Sequence, residues 1–315
     1  MGFSEIDPRA EATYRLFFGE QETNYGDLMQ IDPEELPDFD IMLGGFPCQT
    51  FSIIGQRAGM EDQRGKVILG LARILQAKKP RFVMLENVKG LLSHNGGQTI
   101  AEVVSLLKSI DYDVDFRLMR SMEFGIPQKR ERVFIVGVLS EDGSIKDVLN
   151  RVEKQSNLRP LTEFLVDRSP ELILNLKSTK GQTFLNYLNN KYNRDRFDLS
   201  KLLKQDLLVL DTRQSDLRLY TGCVPTLRTG RHGIYYVLNG NLRALSGREA
   251  LLLQGFPAEL ASIAGRTVRQ QELLAQAGNA MTIPVVEAVA SSLLSTSRPT
   301  PYRRTKAARS FALAS

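Results

Sequence analysis

Short apolar runs alternate with amphipathic stretches through the first 140 residues, the pattern that βα units leave when they build a parallel sheet. Phe39 to Leu43 and Phe82 to Leu85 read as buried strands. Polar or glycine-rich turns follow them, and helical periodicity appears at Arg64 to Leu75 and near Thr99 to Ser109. Tyr112 to Met119 and Arg132 to Leu139 are two more strand-like runs, joined by a loop holding Gly125 and Pro127, and are expected to close the sheet edge. From about Ser140 to Leu245 the periodicity fades into interleaved Asn, Lys, Arg and Asp; order returns at Ser246 to Leu253 and Pro284 to Leu294. This predicts an α/β, doubly wound and mostly parallel sheet over residues 1–140 and a smaller irregular module over 141–272. A helix over 273–297 returns to the first domain, and a basic tail over 298–315 has no core.

Composition narrows the class. Hydrophobic residues at 42% and charged residues at 24% fit a packed globular enzyme rather than a disordered chain. Apolar runs such as Ile283 to Val286 stop far short of the roughly 18 residues of a spanning helix, so no membrane partner and a cytoplasmic location are expected. Two cysteines cannot build a disulfide framework, and two histidines give no zinc-ligand spacing, so no metal is expected. The net charge of +5 is compatible with a polyanion and equally with an ordinary solvated surface.

In an open parallel sheet, catalytic groups sit beyond the carboxyl ends of the strands. Two candidates stand there: Cys48, after Gly44-Gly45-Phe46-Pro47, and Glu86, after Val83 to Leu85. A lone cysteine is most often a buried structural thiol, and a lone glutamate an ordinary cap. The Gly-Gly-Phe-Pro lead-in instead suggests a stiff exposed loop on which a thiol could be activated by cations or backbone dipoles.

Five elements in order make the combination specific. Pro47-Cys48-Gln49, Glu86-Asn87-Val88 and Gln128-Lys129-Arg130-Glu131-Arg132 come first. Arg248 with Leu253-Gln254-Gly255-Phe256-Pro257 and Gly278-Asn279-Ala280 with Pro284-Val285-Val286 complete the set. Together they resemble the signatures of the DNA cytosine-5 methyltransferases, over nearly the whole chain outside the variable module and tail. The resemblance implies an S-adenosylmethionine-dependent methyltransferase fold and methylation of carbon 5 of a flipped-out cytosine in a specific double-stranded DNA sequence, as in restriction-modification systems.

The resemblance also implies roles. Cys48 attacks carbon 6 as a thiolate, Glu86 serves nitrogen 3, Arg132 holds the exocyclic oxygen, and Arg130 orients the thiolate, the carboxylate or a phosphate. Gln49 to Arg64 resembles the loop that closes over the flipped base, with Gln49 and Ser52 facing DNA. For the cofactor S-adenosyl-L-methionine, Glu5 matches the ribose-binding acid, with Ile6 beside it, and Asp27 matches the adenine-binding acid. Pro47 and Asn279 complete the site. In the recognition module, Thr226 belongs to a Thr-Leu element, and Arg228 and Arg231 are base or phosphate readers.

One departure stands out. Family members open with a strand and an FxGxGG loop that cradles the methionine end of the cofactor, and the sequence starts just after that point. The expectation is that an upstream segment or a second polypeptide supplies the loop and that this chain alone binds the cofactor poorly. A catalytically silent DNA-binding subunit is therefore one alternative. A transfer-RNA cytosine methyltransferase is another, disfavoured by the long recognition module and the absence of a Cys-Phe-Thr element.

Overall fold

The computed structural model describes residues 2–47, 66–155, 157–230 and 232–295. Cys48, Gln49, Ser52 and Arg231 lie outside the described residues, as do the whole Gln49 to Arg64 loop and the tail over 298–315. The chain opens with β1 (Gly2–Phe3), α1 (Pro8–Phe18), β2 (Thr23–Asn24) and β3 (Ile41–Gly45). It continues through α2 (Lys66–Lys78), β4 (Phe82–Val88), α3 (Gln98–Ser109), β5 (Tyr112–Arg120), β6 (Gln128–Lys129) and β7 (Glu131–Leu139). The central sheet has four strands in the order β3-β4-β7-β5, while β1 and β2 form a separate parallel pair.

Side-chain alternation along β4 explains why helices cover both faces. Val83 and Leu85, with Val133 and Ile135 of β7, pack on Leu71 and Leu75 of α2 and on Val103 and Leu107 of α3. Phe82 and Met84, with Phe134 and Val136, point the other way. There they meet Val285, Val289 and Leu293 of a late helix, named below. Each such fully buried aliphatic side chain contributes roughly 1.5–3 kcal/mol. The doubly wound architecture is therefore present, with one correction: the sheet is mixed, not mostly parallel. β3 and β4 are parallel, but β7 runs antiparallel to both β4 and β5, because the short loop through Gly125 and Pro127 returns the chain as a hairpin. β7 takes the interior position and β5 the edge.

Two strand ends also differ from the sequence expectation. Gly44 and Gly45 do not make a turn; they extend β3, pairing with Leu85 and Glu86, and Phe46 after them is buried in the core. β4 likewise runs on through Glu86 to Val88, so Glu86 is a strand residue flanked by Gly45 and Phe134.

Past residue 140 come α4 (Thr179–Leu188), α5 (Leu199–Leu202) and five strands: β8 (Val209–Asp211), β9 (Arg218–Tyr220), β10 (Val224–Pro225), β11 (Ile234–Leu238) and β12 (Asn241–Ala244). The module expected to be irregular contains an antiparallel sheet in the order β12-β11-β8-β9 with its own core of Phe184, Leu188, Leu210 and Val237. Four helices close the chain: α6 (Gly247–Leu252), α7 (Ala258–Thr267), α8 (Gln270–Asn279) and α9 (Ile283–Leu294). Ser246 and Glu249 form a reciprocal capping box that starts α6. The stretch Gln270–Leu294 is long and apolar enough to cross a membrane by length and composition. It is nevertheless two helices with a break before Thr282, and the buried face of α9 lies on the central sheet.

Candidate active site

Glu86 and Asn87 point to opposite faces of β4, and each has a task. Asn87 is buried, and its Nδ2 donates to the carbonyl of Phe46 at 2.8 Å, fixing the chain two residues ahead of Cys48. Glu86 lies on the α9 side, where Arg132 Nε approaches its Oε1 to 2.8 Å and Arg130 Nη2 to 3.8 Å. Arg132 reaches it across the ladder, since Arg132 pairs with Val88, two residues beyond Glu86. Burial pushes the Glu86 carboxyl above the usual carboxylate range; the charges of Arg132 and Arg130 oppose that shift without cancelling it. The result is a carboxyl group that holds its proton to higher pH than a solvated glutamate.

Arg130 serves mainly as scaffold. Its side chain is 2% exposed; Nη1 donates to the carbonyls of Leu227 and Gly278, and Nη2 to that of Ala280 at 2.7 Å. Gln128, fully buried, works in the same direction: Nε2 donates to Leu253 O at 2.8 Å and Oε1 accepts from Leu227 N at 3.1 Å. β10 pairs with β6 in parallel, Val224 with Gln128 and Pro225 with Lys129, and the Thr226 hydroxyl donates to Lys129 O. From the opposite side, a Cβ on Gly278 would lie 2.4 Å from Arg228 C and Thr229 N, so the Thr-Leu-Arg segment runs against the helix end that carries Asn279. Arg228 itself is exposed, and its charge acts on both Arg132 and Asp211. Glu86, Arg130, Arg132, Thr226 and Arg228 are thus brought together.

The expected cofactor residues are gathered less completely. Glu5 and Asn279 line one cleft of about 880 Å³ together with Tyr14, Phe17 and Thr229, whereas Ile6, Asp27 and Pro47 are not among its lining residues. Glu5 Oε1 accepts from the backbone N–H groups of Ile6 and Asp7, both at 2.8 Å, which orients the carboxylate and leaves Oε2 for a ligand hydroxyl. Asp27 caps its own turn, accepting from Met29 N at 2.9 Å, the ordinary structural use of an aspartate after glycine. Glu5 and Asn279 suit the hydroxyl-rich and polar parts of an adenosyl ligand.

Gln128, Asp211, Arg213 and Gln254 were not singled out as site residues from the sequence. Gln128 and Gln254 lie inside the recognised motifs, so a fully buried glutamine there was the available signal for a backbone clamp. Asp211 and Arg213 carry no motif.

The site is thus a buried carboxyl with a raised pKa, held by arginines on the strand that pairs with Gly44-Gly45. Residues 1–295 match the C-5 cytosine-specific DNA methylase family, and the chain belongs to that family: it is a DNA cytosine-5 methyltransferase. It is 36% identical to the Type II methyltransferase M.NgoBI of Neisseria gonorrhoeae over 289 residues, 90% of this chain and 83% of that protein. It is 33% identical to M.HaeII of Haemophilus aegyptius over 296 residues, 92% of this chain and 84% of that protein. Its fold is similar to those of S. pombe Dnmt2 methyltransferase and Entamoeba histolytica EhMeth. The first has a TM-score of 0.61 at 22% identity, covering 92% of this chain and 89% of that one. The second has a TM-score of 0.63 at 18% identity, covering 93% and 88%.

Proposed function

We propose that the chain methylates carbon 5 of a flipped-out cytosine within one specific duplex sequence, as the modification half of a Type II restriction-modification system in the cytoplasm. The observation that carries this reading is the Glu86 carboxyl, buried, raised in pKa and paired with Arg132 beside the strand leading to Cys48. Cys48, as a thiolate, adds to carbon 6, and the ring electrons pass to carbon 5 and nitrogen 3. Glu86 donates its proton toward nitrogen 3 and so neutralises that charge. Arg132 spends Nε on Glu86 and Nη1 on Glu131 O, leaving Nη2 to hold the exocyclic oxygen. Arg130 keeps Glu86 and the recognition segment in place.

S-adenosylmethionine, when bound, supplies the methyl group as a sulfonium. Glu5 would take its ribose hydroxyls and Asn279 would line the same cleft, while Ile6, Asp27 and Pro47 are assigned to the cofactor by motif resemblance. Loss of the carbon 5 proton and expulsion of the Cys48 thiolate then restore the ring. In this reading residues 141–272 form the recognition module. Thr226 and Arg228 meet DNA from that module, and motif resemblance assigns DNA contacts to Arg231, Gln49 and Ser52 as well.

The test is expression in a bacterial host whose DNA carries no 5-methylcytosine, followed by bisulfite sequencing. Methylated cytosines should recur in one sequence context and vanish with Cys48→Ala. Host DNA left unmarked, while the purified chain still binds duplex DNA, would favour the silent-subunit reading. Calorimetry with S-adenosylmethionine addresses the glycine-rich loop separately: dissociation in the low micromolar range would show that no added segment is required.

A further inference from the structure

The segment Thr226–Arg228 is gripped from two sides, and the catalytic strand supplies one of them. The other grip comes from the recognition sheet. Arg213 forks onto Asp211, Nε to Oδ1 at 2.7 Å and Nη2 to Oδ2 at 2.8 Å, and its remaining Nη1 donates to the carbonyl of Thr226 at 2.9 Å. The two side chains are 3% and 6% exposed, which leaves them no surface to offer DNA. The pair is itself anchored: Asp211 ends β8 opposite Ile234, and both the N–H and the hydroxyl of Thr212 donate to Gly233 O, at 2.9 and 3.0 Å. A guanidinium can bridge a carboxylate and a carbonyl at fixed angles; an ammonium is a point donor on a flexible stem.

We propose that Arg213 is a positioning residue for sequence recognition. It clamps the Thr226 carbonyl from the recognition sheet while the Thr226 hydroxyl clamps Lys129 O of the catalytic strand, so Arg228 is presented in fixed relation to Glu86 and Arg132. This rests on the reading that Thr226 and Arg228 face DNA. Loss of the clamp frees the recognition segment while leaving the catalytic sheet paired along all of β4 and β7.

The test measures kcat and KM for methyl transfer on a duplex carrying the recurring site and on duplexes with one base of it changed. Two variants are needed, because Arg213→Lys leaves a buried charge with imperfect partners and could simply unfold. The double variant Asp211→Leu with Arg213→Met removes both charges and keeps apolar volume, a replacement that folded proteins tolerate. In both variants we expect KM for the cognate duplex to rise about tenfold and discrimination against the altered duplexes to fall about tenfold, with kcat within about threefold of wild type. A merely structural role lowers kcat through the inactive fraction and leaves KM and discrimination unmoved; that result, or wild-type discrimination in either variant, overturns the proposal. A wild-type chain that methylates no duplex at all sinks the underlying reading, and the clamp's role in recognition with it.

Discussion

Glu249 is fully buried at the start of α6, and replacing it by glutamine should make the folded state respond differently to pH. Its Oε1 accepts from Asp167 N and from the Tyr236 hydroxyl, both at 2.9 Å, and Oε2 accepts from Ser246 N at 3.0 Å. Burial pushes the carboxyl from its ordinary 4.5 up to about 7; these hydrogen bonds oppose the shift, and the charge of Asp167 adds to it. The folded chain therefore keeps a proton that the unfolded chain has already lost. Stability from this group is fully present below pH 4.5 and is lost as the pH rises through about 7. At about 1.4 kcal/mol per pH unit, a shift of this size is worth about 3 kcal/mol. Glutamine keeps an acceptor for Asp167 and Tyr236 but turns an N–H toward Ser246 N, at a cost of about 1–2 kcal/mol that does not depend on pH. Glu249→Gln should thus be less stable than wild type at pH 5 and equal to it or more stable at pH 8. Urea unfolding followed by far-ultraviolet circular dichroism, suited to a chain without tryptophan, measures both. A stability difference between the two proteins that stays constant within about 0.5 kcal/mol from pH 5 to pH 8 would refute the reasoning.

Glu86→Gln should leave duplex binding intact and slow methyl transfer by about 10²-fold or more, while the wild-type rate declines as the pH rises through the elevated Glu86 value and the variant's does not; a pH–rate series on both proteins decides it. Gly278→Ala places a methyl group 2.4 Å from the backbone at Arg228 and Thr229, which should cost about 1–3 kcal/mol in urea unfolding and weaken duplex binding in parallel. Arg130→Met strips donors from Leu227, Gly278 and Ala280 and should cost about 3 kcal/mol or more, and Arg130→Lys should not restore it, because one ammonium cannot span those carbonyls; thermal melting of the two variants checks this.

The parts of the fold that could be read from the sequence were those with a regular period. Phe82 to Leu85 and Arg132 to Leu139 are long enough for their burial to show as apolar runs, and Thr99 to Ser109 repeats at helical spacing. Gly44-Gly45 misled, because glycine signals a turn more often than a strand end; here the register with Leu85 and Glu86 decided otherwise. The antiparallel sheet past residue 140 was missed because its strands are only three to five residues long. Asn239-Gly240 did carry a hairpin signal: both residues have positive φ, 50° and 70°, between β11 and β12. Within the site, motif resemblance located Glu86, Arg130 and Arg132, but a motif does not state burial. Arg130 was expected to orient the reacting groups, yet most of its donors hold three carbonyls from two separate segments. Nor does a motif state what an acid already holds: one oxygen of Asp27 accepts from Met29 N of its own turn.

The run Gln128-Lys129-Arg130-Glu131-Arg132, which leaves β6, passes through Arg130 and enters β7, ties the Thr226–Arg228 segment to Glu86. β6 and β7 belong to different sheets and Arg130 lies in neither, yet the contacts of the run fall into two sets, one at its three even positions and one at its two odd positions. On the even side, Gln128 and Arg130 hold Leu227 and the ends of α6 and α8, and Arg132, next in line, holds Glu86. On the odd side, Lys129 lies 5.0 Å from the Tyr220 ring centroid, and Glu131 pairs with Lys89 and Arg120. Gln128 and Arg130 are buried and Arg132 half-buried, whereas Lys129 is exposed and Glu131 half-buried, and the contacts of those two contribute at most about 1 kcal/mol each. A shift of one residue in register would exchange the two sets, driving Lys129 and Glu131 into a space shaped for an amide and two guanidinium groups. The β10–β6 pairing and the Thr226 hydroxyl oppose that slip from the recognition side, and the ladder of β7 with β4 and β5 opposes it from the catalytic side. The Thr226–Arg228 segment and Glu86 are therefore both tied to the same five residues, the first through Lys129 O, Gln128 and Arg130 and the second through Arg132.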